Sequence, residues 1–207
     1  MNSIDDLDFS KTYTYADYLL WKFEERVELI KGKIFKMSPA PTGNHQIIST
    51  NISGELYGFL KGKSCKVFAA PFDVRLVRTE KSNKKVKNVV QPDICLICDL
   101  TKLADTRSCL GAPELVVEIL SPGNNTKELK IKFDLYEEFG VKEYWVVYPD
   151  ERSLLRYVLN TEGKFVPEVR PLTLGDKLTT PILPNFELAL DDVFRDLLEG
   201  PFTEDTE

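Results

Sequence analysis

The chain has 207 residues, of which 43% are hydrophobic, a length and composition typical of one globular domain with a substantial core. No apolar run approaches the roughly 20 residues of a membrane span, and the polar, acidic first ten residues do not resemble a secretory signal. The net charge of −6 argues against a protein that coats nucleic acid, although it permits an enzyme with a local basic surface.

The cysteine content indicates reduced thiols and a cytoplasmic protein, because four cysteines are too few for a disulfide framework in a chain of this length. Cys95 and Cys98 have the C-x-x-C spacing of some zinc sites. The chain has no second Cys/His pair with finger spacing, and residues i and i+3 of a strand point to opposite faces. We therefore expect both to be small core side chains.

The patterns predict one α/β domain over residues 12–198, preceded by a flexible lead over 1–11 and followed by an acidic tail over 199–207. In the first half of the chain they predict a helix over about 15–25 capped by Thr12 or Thr14, a hairpin turning at Lys31 and Gly32, a helix over 42–62, a strand region over 66–77 bent at Pro71, a basic loop over 79–88, and a strand over 89–98. Towards the C-terminus they predict strands over 154–159 and 164–172 and a short helix over 190–198.

The segment from 113 to 148 is the centre of the predicted fold and reads as strand, turn, helix, strand. Its first strand, LVVEIL, is a run of β-formers typical of a strand covered on both faces. Asn125 is placed to cap the helix, and Gly140 is placed to end it. The sequence therefore predicts a central βαβ unit in a mixed β-sheet flanked by helices, with additional strands on the N-terminal and C-terminal sides.

Two charges interrupt this apolar pattern. Glu118 stands in the middle of the strand, and Lys132 falls near the middle of the apolar arc of the helix. An inward charge costs free energy unless it has a partner or a purpose. An i,i+4 pair between Lys132 and Glu128, or a lysine stem extending to solvent, would account for the lysine without any function.

A third charged residue favours a functional interpretation. Asp93 begins the strand before the βαβ unit, and acids on adjacent strands about 4.8 Å apart can share one cation. Carboxylate oxygens suit Mg²⁺ or Mn²⁺, which can polarise a phosphoryl oxygen and activate a water. With Lys132 holding the phosphate, these residues form a plausible site for phosphodiester hydrolysis.

Five segments, taken in order, resemble the PD-(D/E)XK restriction-endonuclease-like superfamily and, within it, the Uma-two branch. They are ELIKGKIFKMSP (28–39), His45, QPDI (91–94), PELVVEILSP (113–122) and KFDLYEEFGVKEYWVVYP (132–149). The resemblance covers about residues 12–196. It implies a restriction-endonuclease-like core, a metal-dependent endonuclease, a nucleic-acid substrate with DNA ahead of RNA, and a homodimer.

The resemblance also bears on the lysine. The superfamily usually places a lysine two residues after the strand acid, where this chain has Leu120. The Uma-two branch is similar to this chain in lacking it, which implies that Lys132 on the next helix has taken the role. Other departures, at Glu128, Lys31 and Lys33, change the local charge but remove no proposed ligand.

The remaining site residues follow from the same resemblance. Asp93, Glu118 and the backbone carbonyl of Ile119 would hold the metal, and Glu28 and His45 would assist catalysis. Glu28 could equally be an exposed strand acid, and for His45 a capping or packing role stands ahead of the functional one.

The basic loop is the best candidate for phosphate contacts, although it could equally be a solvated loop. Its basic residues are Lys84, Lys85 and Lys87, together with Arg75, Arg78 and Lys81. Gln91 could also reach substrate. The alternative function is a catalytically silent module that keeps the nuclease fold and binds nucleic acid or a protein.

Overall fold

The computed structural model describes residues 3–37, 41–79, 82–121 and 126–199. Within these ranges the α-helices are α1 (Tyr15–Tyr18), α2 (Gly43–Leu60), α3 (Thr126–Phe139) and α4 (Leu190–Val193). The strands are β1 (Val27–Ile30), β2 (Lys33–Lys36), β3 (Lys66–Ala69), β4 (Asp73–Arg75), β5 (Val89–Val90), β6 (Ile94–Ile97), β7 (Ser108–Leu110), β8 (Leu115–Ile119), β9 (Glu143–Tyr148), β10 (Ser153–Leu159), β11 (Phe165–Pro167), β12 (Leu172–Thr173), β13 (Lys177–Thr179) and β14 (Glu187–Ala189).

The strands form two large mixed sheets and one small one. The larger has the order β11-β10-β9-β8-β6-β3, with β12 also paired to β10, and the second has the order β2-β1-β5-β4-β7. Strands β8 and β9 are parallel and are joined by α3, which confirms the predicted βαβ unit at the centre of a mixed α/β fold. The predicted cap of α3, Asn125, lies outside the described residues, as does the acidic tail beyond residue 199.

Two regions that the sequence presents as single strands are each divided between the two sheets. The first region leaves the larger sheet after β3, passes a cis bond before Pro71, and enters the second sheet as β4. The second region crosses in the opposite direction, from β5 to β6, through Gln91, Pro92 and Asp93. The amide of Ala70 donates to the carbonyl of Asp93 at 2.9 Å, so the two crossings lie side by side.

The predicted hairpin is confirmed, and its turn explains the Lys31-Gly32 pair. Both residues have positive φ, 53° and 76°, as a two-residue hairpin turn of this kind requires. A side chain at Gly32 would come within 3.0 Å of the Tyr13 carbonyl, so a glycine is needed there on two counts. The hairpin places Glu28 of β1 opposite Phe35 of β2.

The helices pack on opposite sides of the larger sheet. Helix α2 packs its buried face, Ile48, Ile52, Leu56 and Leu60, on the larger sheet in a first core that includes Val117 of β8. Helix α3 contributes Leu135 and Tyr136 to a second core shared with both sheets. Because side chains alternate along β8, Val116 joins the second core while Val117 joins the first.

Both terminal helices are shorter than predicted. Helix α1 ends at Tyr18 because the chain turns to bury aromatic rings, with Trp21 lying 5.4 Å from Tyr13 between ring centroids. Helix α4 ends at Val193, and Asp196 has a φ of 60°, which a continuing helix does not permit. Thr14 caps α1 together with Asp17, as one of the two predicted caps.

The segment expected to be a flexible lead contains a packed element. Ile4 and Leu7 are each 5% exposed and belong to a third core with Val27 and Leu29 of β1. The division of the chain at residues 11 and 198 stays a prediction. None of the described helices is long and apolar enough to cross a bilayer.

Cys65 and Cys98 form a disulfide, so the expectation of four reduced cysteines is wrong. Lys66, the first residue of β3, lies opposite Ile97, the last residue of β6. Cys65 precedes Lys66 and Cys98 follows Ile97, so the antiparallel register brings the two sulfurs together. Cysteine counting cannot show this, because strand register is a long-range property. Cys95 is free and buried on the face opposite Cys98, as the alternation predicted.

Candidate active site

Two carboxylates meet where β6 and β8 run side by side. Ile94 pairs with Val117 in the antiparallel register, so Asp93 and Glu118 occupy the next opposed positions. The amide of Ile119 donates to Asp93 Oδ2 at 2.7 Å, which fixes the Asp93 side chain against β8. The structure therefore brings together the two acids that the sequence placed on neighbouring strands.

Lys132 points inward from α3 and lies between two acids. Its Nζ is 3.0 Å from Glu118 Oε1 and 3.1 Å from Glu28 Oε1. Glu28 is 4% exposed, so the alternative of an exposed strand acid is wrong. Its Oε1 also accepts the backbone amide of Gln91 at 2.8 Å. The inward lysine thus has specific buried partners on two different sheets.

Tyr136, one helical turn beyond Lys132, is a site residue that the sequence analysis missed. Its hydroxyl donates to Glu118 Oε1 at 2.6 Å, and the side chain is fully buried. The i,i+4 spacing from Lys132 places both on the same helix face and could have identified it. Tyr136 and Lys132 together hold one carboxylate oxygen of Glu118.

Burial and neighbouring charges have opposing effects on the pKa values of Glu118 and Lys132. Burial raises the pKa of Glu118, with Lys132 acting against the rise and the neighbouring Asp93 and Glu28 adding to it. Burial would lower the pKa of Lys132, but Glu118 and Glu28 outweigh it, so the pKa is raised and the amine stays protonated. The pKa of Tyr136 is raised by burial and by Glu118, which keeps the phenol a neutral donor.

His45 reaches the same site from the first turn of α2. Thr42 caps this helix by accepting the His45 amide at 3.3 Å. The imidazole Nε2 lies 3.3 Å from Asp93 Oδ2, and Nδ1 is buried without a hydrogen-bond partner in the described structure. Burial would lower the pKa of His45, but its contacts with Asp93 and the Ile119 backbone raise it overall.

These residues line one cleft of about 730 Å³ between α2, α3 and the two sheets. Its walls include every proposed catalytic and metal-binding residue, Glu28, His45, Asp93, Glu118, Ile119 and Lys132. The proposed phosphate-binding lysines Lys84, Lys85 and Lys87 are exposed but are not among its lining residues. Their loop instead packs on the N-terminal segment, where Tyr15 donates its amide to the Val86 carbonyl.

The donor set suits a hard divalent cation. The carboxylates of Asp93 and Glu118, with the carbonyl of Ile119 between their strands, offer the oxygen ligands that Mg²⁺ and Mn²⁺ prefer. Asp93 makes its contacts through Oδ2, and its Oδ1 forms no hydrogen bond with another described residue. In the described parts of the chain, no group of three or more His, Cys, Asp or Glu side chains has a metal-holding arrangement.

The chain is similar to proteins of one family along most of its length. The family model described as "Uma2: Putative restriction endonuclease" matches residues 15–191. An uncharacterized protein of Synechocystis sp., slr1290, is 26% identical over 184 residues, which cover 87% of this chain and 90% of that protein. The crystal structure of a putative nuclease belonging to DUF820 from Anabaena variabilis superposes with a TM-score of 0.67 at 19% identity, covering 88% of this chain and 97% of that one. This likeness shows a shared fold.

Proposed function

Because the chain belongs to the Uma2 family of putative restriction endonucleases, we propose that it is a metal-dependent endonuclease that hydrolyses phosphodiester bonds of nucleic acid, with DNA ahead of RNA. Mg²⁺ or Mn²⁺ would be held by Asp93, Glu118 and the carbonyl of Ile119. We also propose that the protein is a homodimer, as the family resemblance implies. A cytoplasmic location stays a prediction from the sequence, and the Cys65–Cys98 disulfide removes its argument from reduced thiols.

The observation that carries this proposal is the buried Lys132 between Glu28 and Glu118 at the floor of the cleft. Burying three ionised side chains costs free energy that their attraction repays only partly, so such a cluster is weak as a stabilising device. It is a suitable way to hold acids and an amine at fixed positions around a reacting group.

Each residue has a role that follows from its position. A cation bound at Asp93 and Glu118 supplies positive charge that polarises the phosphoryl group and makes a nearby water more acidic. Lys132 would offset the negative charge that develops on the phosphate. Glu28 lies across Lys132 from Glu118 and would orient the attacking water. His45, against Asp93, would move a proton or contact a phosphate oxygen.

The test is cleavage of plasmid and of labelled single strands by the purified protein at low salt, with Mg²⁺ or Mn²⁺ and with chelator. Glu118→Ala and Lys132→Ala should both abolish cutting. Lys130→Ala is the matched control, because Lys130 lies on the same helix and pairs with Asp134 at the exposed surface. It should cut like the wild type.

Three outcomes would contradict the proposal. Cutting that persists in the Glu118 and Lys132 variants would come from another site or a contaminant. A protein that binds Mn²⁺ in calorimetry but cuts no substrate would instead be a silent binding module, and a protein that binds no Mn²⁺ would remove the basis of the metal site.

A further inference from the structure

A second polar network lies beside the site and ends on an arginine at the cleft wall. Gln91, 8% exposed, accepts from Arg26 through its Oε1, at 3.0 Å from Nε and 2.8 Å from one terminal nitrogen. Its Nε2 donates to Asp73 Oδ1 at 2.8 Å. The hydroxyl of Tyr18 also donates to Asp73, at 3.2 Å. Both Arg26 and Gln91 line the cleft.

The chemistry of this network fixes which way Gln91 faces. An ionised carboxylate only accepts hydrogen bonds, so the Gln91 amide nitrogen must face Asp73. The amide oxygen must then face Arg26, where it takes one edge of the guanidinium. A guanidinium has five N–H donors in a rigid fork, and the remaining edge keeps two parallel donors. The buried amide thus holds the arginine in one orientation without neutralising it.

Arg26 differs in this respect from most arginines of the described chain. Those that pair with a carboxylate are Arg75, Arg152, Arg156, Arg170 and Arg195. Among the described residues, no carboxylate forms an ion pair with Arg26, and its side chain is exposed. Its full charge is therefore available to an anion in the cleft.

The network is also connected to the proposed catalytic residues Glu28 and Lys132. The backbone amide of Gln91 donates to Glu28 Oε1, and the same oxygen contacts Lys132. The side chain of Gln91 orients Arg26 while its main chain holds Glu28, so the arginine and the acid keep a fixed separation. Because Glu28 also holds Lys132, an extended anion with regularly spaced charges could contact the two cations, Arg26 and Lys132, at once.

We propose that Arg26 is the anchor for a backbone phosphate next to the scissile one, and that Gln91 is the residue that positions it. This inference rests on the proposed nucleic-acid substrate and names a contact with that substrate. The free edge of the guanidinium matches two phosphate oxygens, and the contact is independent of base sequence.

The experiment measures binding of a labelled single strand and a labelled duplex by fluorescence anisotropy, in chelator so that no cutting occurs, over a series of NaCl concentrations. Each phosphate contact changes the slope of the logarithm of the binding constant against the logarithm of the salt concentration. The change is about 0.7 for a single strand and about 0.9 for a duplex. Arg26→Gln should reduce the slope by that amount and weaken binding about fivefold to eightfold at 0.1 M salt. Arg26→Lys should keep the slope.

The matched control is Arg107→Gln, which removes the same charge from an exposed arginine outside the cleft and should leave the slope unchanged. Gln91→Ala should weaken binding less than Arg26→Gln, and the double variant should bind no worse than Arg26→Gln alone. That lack of additivity is expected only if Gln91 acts through Arg26.

The outcomes separate this inference from the proposed function. If Arg26→Gln has the same salt slope as the wild type and the protein cuts with Mg²⁺, the proposed role of Arg26 is wrong and the proposed nuclease function stands. A reduced slope in a protein that never cuts supports the anchor and overturns the nuclease. A wild type that binds neither probe overturns both.

Discussion

Replacing Lys132 with methionine should destabilise the protein by about 3–5 kcal/mol, the range for removing one partner of a buried ion pair. The Lys132 side chain is 18% exposed, and the partner carboxylates are 5% exposed for Glu28 and 10% for Glu118. Without the ammonium, two largely buried acids lose the cation that lies between them. Urea unfolding followed by circular dichroism, with chelator present, measures the change in the free energy of unfolding.

Two further variants make this prediction specific. Lys164→Met breaks a pair of comparable length, 2.7 Å to Glu137, whose lysine is 68% exposed, and should leave the unfolding midpoint close to that of the wild type. Glu118→Gln combined with Lys132→Met should recover part of the loss, because one of the two unpaired charges is gone. If Lys132→Met shifted the midpoint no more than Lys164→Met, the claim that the lysine is held by buried charge would be refuted.

Three other predictions concern stability. Tyr136→Phe removes the donor to Glu118 and should cost about 1.5–3 kcal/mol in urea unfolding, and no change would show that water replaces the hydroxyl. Glu114, which is buried beside β8, accepts hydrogen bonds from Lys102 Nζ and from the Cys98 amide, each at 2.7 Å. Burial would raise the pKa of Glu114, but these two partners lower it overall, so Glu114→Gln should be less stable than wild type at neutral pH. That difference should vanish as the pH falls below the lowered pKa, whereas a constant difference would contradict the reasoning. The Cys65–Cys98 disulfide predicts two free thiols in denatured, unreduced protein and about 3–4 kcal/mol lost on reduction, and four free thiols would show that the bond is absent.

The sequence predicted those parts of the structure that depend on interactions between residues close together in the chain. The two-residue turn at Lys31 and Gly32 and the helix over Gly43–Leu60 follow from turn chemistry and periodicity, and the structure confirms both. The inward position of Lys132 followed from the helical wheel, because each residue rotates by a fixed angle around the axis. The βαβ unit around this helix followed from the order strand, helix, strand, and the structure shows its two strands to be parallel.

The parts that could not be predicted depend on contacts between distant residues. The hydrophobic pattern does not show that the chain changes sheet at Pro71, because the pairing of strands is a long-range property. Glu28 faces the cleft because its strand, and not the other strand of the hairpin, lies next to Gln91. The sequence of the hairpin does not show which of its two strands will pair there. The orientation of Arg26 depends on Gln91, 65 positions later in the chain.

The side-by-side crossings at Ala70 and Asp93 have a consequence for folding. Residues of the cleft come from both large sheets and from two helices, separated by up to about 120 positions in sequence. Such contacts form only after long loops have closed, which is slow and costs chain entropy. The cleft should therefore be among the last features to appear during refolding. A ligand that binds it should delay unfolding of the whole chain, because no partly folded species would contain its binding site.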